Sequence, residues 1–116
     1  MAFKYETRKA SFIKWKYNMK PTILPYETLI NSFIQEQLSA TQFEIEYLKL
    51  FEYDKTDFTE TEYNILNTLF WAVENFCSNP ELRDQDDLDE NQLRDAAKVA
   101  LQTLTNLEAT EQTFTI

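Results

Sequence analysis

The sequence predicts an all-α protein, an antiparallel four-helix bundle with an N-terminal basic extension, and three observations lead there. Its 116 residues contain no glycine, where average usage would supply about eight, so turns that need a positive φ are avoided or made by Asn and Asp, and hairpin-rich β folds are disfavoured. Apolar residues recur at intervals of three and four in four separate stretches, the period of a helix that buries one face. The second, third and fourth stretches open on capping signatures, and short links between amphipathic helices make consecutive helices antiparallel neighbours. With 43% apolar and 15% aromatic residues, the chain has enough to bury for one core.

Residues 1–20 read as a basic arm, in which Ile13, Lys14, Trp15, Lys16 and Tyr17 alternate apolar and basic as an extended segment does. Its cations Lys4, Arg8, Lys9, Lys14, Lys16 and Lys20 suit a fold-back onto acidic surface. Equally, Met19 is a second candidate start, which would make the arm an upstream extension. The bundle itself spans residues 21–108. Pro25 suits a first helical turn, where its missing N–H costs no hydrogen bond, and a helix over 25–38 turns Leu29, Ile30, Phe33, Ile34 and Leu38 inward.

Ser39 with Gln42 and Thr41 with Glu44 form overlapping capping boxes for the second helix. Phe43, Tyr47, Leu50 and Phe51 carry it to about residue 53, with Leu48 flanking the stripe. Thr59 with Glu62 starts the third, whose stripe is Tyr63, Leu66, Leu69, Phe70, Val73 and Phe76 and which runs to Cys77, before Asn79-Pro80. Asp89 with Gln92 caps the fourth, and Leu88 is placed to staple onto Leu93. Leu93, Ala97, Ala100, Leu101, Leu104 and Leu107 extend it to Glu108, leaving 109–116 as a fraying tail.

Charge is divided unevenly. Residues 1–20 carry six bases and one acid, a net +5, while the remainder carries nineteen acids and five bases, a net −14, for −9 overall. Such a body repels nucleic acid and anionic membrane and draws a cationic partner. The absence of histidine removes the usual neutral-pH general base and the commonest transition-metal ligand. Without glycine there is no phosphate-cradling loop. No enzyme, cofactor or metal is expected. Asp87, Asp89 and Asn91 alternate like the start of a calcium loop, but Gln92 and Lys98 stand where its glycine and bidentate glutamate belong. Cys77 is alone, so no internal disulfide forms, and with no run of about 20 apolar residues and no export signal the reading is cytoplasmic.

Two groups of acids are candidate binding sites. Asp84, Asp86, Asp87, Asp89 and Glu90 gather before the fourth helix, where its dipole favours negative charge; either they form an anionic lobe or Asp89 caps while the rest are solvated. Glu44, Glu46, Glu52, Asp54, Asp57, Glu60 and Glu62 surround the second helix and the link after it, a pattern equally produced by a solubilising face paired with Lys49 and Lys55. Tyr47, Tyr53 and Trp71 are the aromatic candidates for anchoring a partner. Trp71 adjoins Phe70, so the third helix either has a wide buried face or presents one of the two rings outward.

The order Leu29-Ile30, Phe33-Ile34, Ser39-Ala40, Phe43-Glu44, Tyr47, Leu69-Phe70, Val73, Pro80, Leu82-Arg83, Leu88-Asp89-Glu90 and Leu93-Arg94 resembles the colicin D-type immunity proteins over residues 23–108. The resemblance implies a small helical inhibitor whose acidic surface occupies the basic RNA-binding cleft of a nuclease toxin, often a tRNA-cleaving domain, as a monomer in a one-to-one complex. The Met1–Asn18 arm departs from the compact family pattern. Two other functions fit the residues: a helical adaptor subunit, and a nucleic-acid mimic that inhibits a DNA-binding enzyme. Salt-insensitive binding marks the adaptor, and a double row of carboxylates along one elongated face marks the mimic.

Overall fold

The computed structural model describes residues 20–114, with side chains through residue 108. It contains helices α1 (Leu24–Ile34), α2 (Ala40–Tyr53), α3 (Glu60–Glu74) and α4 (Glu90–Phe114). Each packs on the next and α4 returns against α1, which with links at 35–39 and 54–59 makes the expected antiparallel four-helix bundle. Among the described residues, one parallel bridge, Phe76 with Leu88, lies outside the helices. No helix among them is long and apolar enough to cross a membrane.

The core is a seam of rings. Phe33 stacks on Phe43 at 4.4 Å, Phe43 meets Tyr47 at 5.6 Å, and Tyr47 meets Tyr26 edge-on at 5.8 Å. Phe51 extends the seam to Phe70 of α3 at 5.3 Å. Such contacts add about 0.5–1.5 kcal/mol each beyond burial. Leu66, Leu69 and Val73 close one side and Leu93, Ala97 and Leu104 the other, with alanines at 97 and 100 letting α4 come close. Ile23 is fully buried in the turn before α1; the 26–30–33 stripe simply continues one turn back, past the proline expected to begin it. Tyr63, expected inside, is 47% exposed, because α3 buries Leu66, Leu69 and Val73 and its Tyr63 edge only meets Phe51 at 5.8 Å.

Helix starts follow their caps. Ser39 Oγ accepts from the Gln42 N–H at 3.1 Å, so Ser39 is the cap that is used and Thr41 lies inside α2. Thr59 and Glu62 form a reciprocal box, and Asp89 and Gln92 form another, with bonds of 2.8 and 2.9 Å. The ends are where expectation and structure part. Helix α1 stops at Ile34 instead of residue 38 because Glu36 takes the left-handed conformation, φ 63°. The Gln37 N–H then donates to Ser32 O and the Glu36 N–H to Phe33 O, a Schellman-type close. A glycine-free chain thus uses glutamate, rather than Asn or Asp, where glycine is usual. Helix α3 stops at Glu74 instead of Cys77: the Asn75 carbonyl accepts from Leu88, and Pro80 lacks the N–H that Phe76 O would need. Helix α4 continues through Phe114, past the apolar stripe, since propagation needs only one more backbone bond per residue and 109–114 hold no glycine or proline.

Glu36→Gly removes a left-handed penalty of about 1–2 kcal/mol and adds an unfolded-state entropy cost of about 0.5–1 kcal/mol. The net stabilisation of about 1 kcal/mol should raise the melting midpoint by roughly 4–8 °C, measured by circular dichroism.

Candidate functional site

The connection between α3 and α4, residues 75–89, carries the first acidic group, and backbone ties hold it in one shape. Leu88 N–H donates to Asn75 O at 2.8 Å, and Cys77 N–H donates to Leu88 O at 3.0 Å. The Arg83 guanidinium donates from Nε and Nη2 to Cys77 O at 3.0 and 2.9 Å. Asn79 and Pro80 begin a turn in which Leu82 N–H reaches Asn79 O at 3.0 Å. A second turn runs from Asp84 to Asp87: the Asp87 N–H donates to Asp84 O at 3.1 Å, and Asp87 Oδ2 accepts from the Asp84 N–H at 2.9 Å.

These bonds divide the five acids by role. Asp89 caps α4 and Asp87 locks the second turn. Glu90 pairs with Arg94 at 2.9 Å, and the Arg94 guanidinium also lies 4.7 Å from the Phe33 ring centre, so its charge is shared between a carboxylate and a π face. Asp84 and Asp86 are exposed and remain as outward charges of a small, tied lobe. A polar cleft of about 460 Å³, lined by Ser39, Thr41, Ser78, Arg83, Asp89 and Glu90, separates the lobe from the start of α2.

The second group is itself divided, and its larger part does not join the first. Asp54, Asp57, Glu60 and Glu62 lie around the 54–59 link, at the other end of α3, which at 1.5 Å per residue is about 20 Å away. Glu44 and Glu46 are half-buried on α2, and Glu52 and Asp57 are exposed. Burial pushes the Glu44 carboxyl up. Asp54 holds the link in place, since its Oδ2 accepts from the Tyr26 hydroxyl at 2.6 Å and its Oδ1 from the Thr56 N–H at 2.9 Å. Desolvation alone would raise its pKa, but the bonds from Thr56 and Tyr26 outweigh it and hold the carboxyl below its usual value.

Glu62 is buried and receives Lys20 Nζ at 2.9 Å. Burial opposes its charge, while Lys20 and the Thr59 backbone more than compensate, so its pKa is lowered. Lys20 is the one cation of the basic arm that the structure describes; Lys4, Arg8, Lys9, Lys14 and Lys16 lie outside the described residues.

The aromatic candidates separate cleanly. Tyr47 is fully buried and its hydroxyl donates to Leu66 O at 2.8 Å, so it braces α2 against α3 and is withdrawn as a direct contact for a partner. Tyr53 and Trp71 are 73% and 59% exposed. The sequence left three ties unseen: Tyr26 to Asp54, Lys20 to Glu62, and Arg83 to Cys77. Two are side-chain pairs 28 and 42 residues apart, and the third ends on a backbone carbonyl that has no residue signature.

The sequence profile of a family described as bacterial self-protective colicin-like immunity matches residues 22–104. The chain belongs to this family. Its matched span takes in α1, α2, α3, the 75–89 connection and α4 through Leu104, beginning just after the basic arm. A colicin-like immunity protein acts by binding its cognate toxin, and the tied surfaces above belong to the matched region. No curated protein sequence and no solved structure matches the chain.

For this immunity protein, Tyr26→Phe should cost about 1 kcal/mol near neutral pH, the net value of one hydrogen bond. Because the folded Asp54 pKa is depressed, its contribution is complete above the unfolded value of about 3.9 and is lost as pH falls through the folded value. The gap between wild type and Tyr26→Phe in urea unfolding should therefore narrow below about pH 4; a gap constant from pH 7 to pH 2 would contradict the ionised Asp54 partner.

Proposed function

We propose that this colicin-like immunity protein neutralises a nuclease toxin, specifically a tRNA-cleaving domain, by offering carboxylates to the lysines and arginines that otherwise hold RNA phosphates. The observation that carries this reading is the pair of exposed acids, Asp84 and Asp86, on a connection tied by Arg83 and by the Phe76–Leu88 bridge. Charge on a fixed frame binds without first losing loop entropy, and carboxylates compete with phosphate for guanidinium groups in the same paired geometry. Asp87, Asp89 and Glu90 complete the lobe, holding its shape and adding to its field. The net −14 of residues 21–116 steers encounter with a cationic cleft.

Inhibition on this reading is stoichiometric and takes place in the cytoplasm, one immunity protein to one toxin domain, with no bond made or broken. An RNA-binding cleft is lined with cations by necessity, which is why an acidic inhibitor of this size is effective there. Association approaches about 10⁸–10⁹ M⁻¹s⁻¹ at low salt in such steered pairs and slows as salt screens the charges.

The test uses the product of the neighbouring gene, assayed for RNA cleavage with and without the full chain. Asp84→Lys together with Asp86→Lys should lower the association rate about tenfold or more and weaken protection, with helicity unchanged. Inhibition equal to wild type would remove the lobe from the mechanism. Arg83→Ala separates charge from geometry: it makes the surface more negative, so charge alone predicts tighter binding, whereas loss of the tie to Cys77 predicts faster dissociation. We expect the second outcome, with faster amide exchange over residues 77–88.

A further inference from the structure

The solvent face of α3 holds an arrangement that the lobe does not use. Glu60, Tyr63, Asn67, Trp71 and Glu74 follow one another at steps of three and four, which places them along one stripe of the helix. Tyr63 and Trp71 are 47% and 59% exposed, unusual for rings of this size. Glutamates stand at both ends of the stripe, and α3 contains no lysine or arginine.

Helix α2 extends the same face. Phe51 meets Tyr63 at 5.8 Å and Phe70 at 5.3 Å, which sets the edge of α2 that lies against α3. Glu44 and Leu48 precede Phe51 by seven and three residues and so share that edge. Because the helices run antiparallel, they lie toward the half of α3 that bears Trp71 and Glu74. Ile45, 50% exposed, lies just outside them. The Glu44 carboxyl is already partly desolvated, so it gains more from an arriving cation than a fully hydrated acid would.

We propose that this α2–α3 face is a second docking surface for the toxin, on which an arginine of the toxin stacks over the Trp71 indole with Glu74 and Glu44 as its counter-charges. The inference rests on the toxin-binding reading above and names a separate surface for it. Charge complementarity identifies the occupant: a face with three glutamates, at 44, 60 and 74, and no base from α3 repels an acidic partner, leaves its carboxylates unanswered by an apolar one, and pairs with a cationic one. Arginine fits better than lysine because its planar, weakly hydrated guanidinium stacks on a ring while bonding a carboxylate in its own plane. The bundle already makes this unit internally, where Arg94 lies 4.7 Å from the Phe33 ring centre and binds Glu90 at 2.9 Å. Tryptophan is among the residues most enriched in binding hot spots.

The test is binding kinetics between the full chain and the product of the neighbouring gene, immobilised, across a salt series. Trp71→Ala should raise the dissociation rate tenfold or more, leaving the association rate and its salt slope within twofold of wild type. Trp71→Phe, which keeps a weaker π face, should recover part of the loss. Circular dichroism of Trp71→Ala should match wild type, since the indole is exposed. A dissociation rate within twofold of wild type in Trp71→Ala overturns the proposal and leaves the lobe untouched. If Asp84→Lys with Asp86→Lys is silent while Trp71→Ala is costly, the lobe reading falls and this face stands. Absence of any complex overturns both.

Discussion

The rest of the molecule depends on the aromatic seam that joins α1 to α2. Stacked Phe33 and Phe43, continued through Tyr47 to Tyr26 and Phe51, fill the interior with rings and leave little room for polar groups. The two tyrosines are accommodated because each hydroxyl has a partner, Leu66 O for Tyr47 and Asp54 for Tyr26. Burial pushes both phenols well above their ordinary pKa, so they remain neutral donors. With the interior so occupied, most of the carboxylates must lie outside. The acidic surface is thus a by-product of how the core is packed as well as of composition.

That surface is costly to maintain, because like charges on one small bundle repel one another. The protein reduces the cost by giving several acids structural roles. Glu62 answers Lys20 and closes the α3 cap, Asp89 closes the α4 cap, Asp87 locks a turn, and Glu90 holds Arg94. Asp84 and Asp86 on the lobe, and Glu60 and Glu74 on α3, face solvent instead. On the toxin-binding reading proposed for this colicin-like immunity protein, the division serves recognition: anchored acids build the frame, and outward acids meet the toxin.

The lack of glycine has a second consequence. Where a flexible residue would ordinarily make a turn, this chain uses Glu36 in a left-handed conformation, a Pro80 turn, and side-chain locks at Asn79 and Asp87. Links made this way are stiffer than glycine links. The 75–89 connection is the longest between helices, yet it is held by hydrogen bonds at both ends and in the middle. A surface that receives a partner without reorganising benefits from that stiffness.

By itself the sequence determined the helix count, the capped starts at Thr59 and Asp89 and a third at Ser39 or Thr41, most of the buried stripes, and the family. All but the family are local properties, readable from residues within about one or two turns of one another, and the family lies in their order along the chain. Helix ends at Ile34 and Glu74 were not legible, because they depend on a left-handed Glu36 and on a backbone bond from Leu88, thirteen residues beyond Asn75. The acidic residues were all visible, but which of them are held by structural partners was not. Only tertiary structure decided that Tyr47 is inside while Tyr63 and Trp71 are out, that the lobe and the acids around the 54–59 link sit at opposite ends of α3, and that Asp54 and Glu62 are claimed by Tyr26 and Lys20. Periodicity defines a stripe on one helix, whereas the width of the buried face and the partner of each charge are set by the neighbours that arrive from elsewhere in the chain.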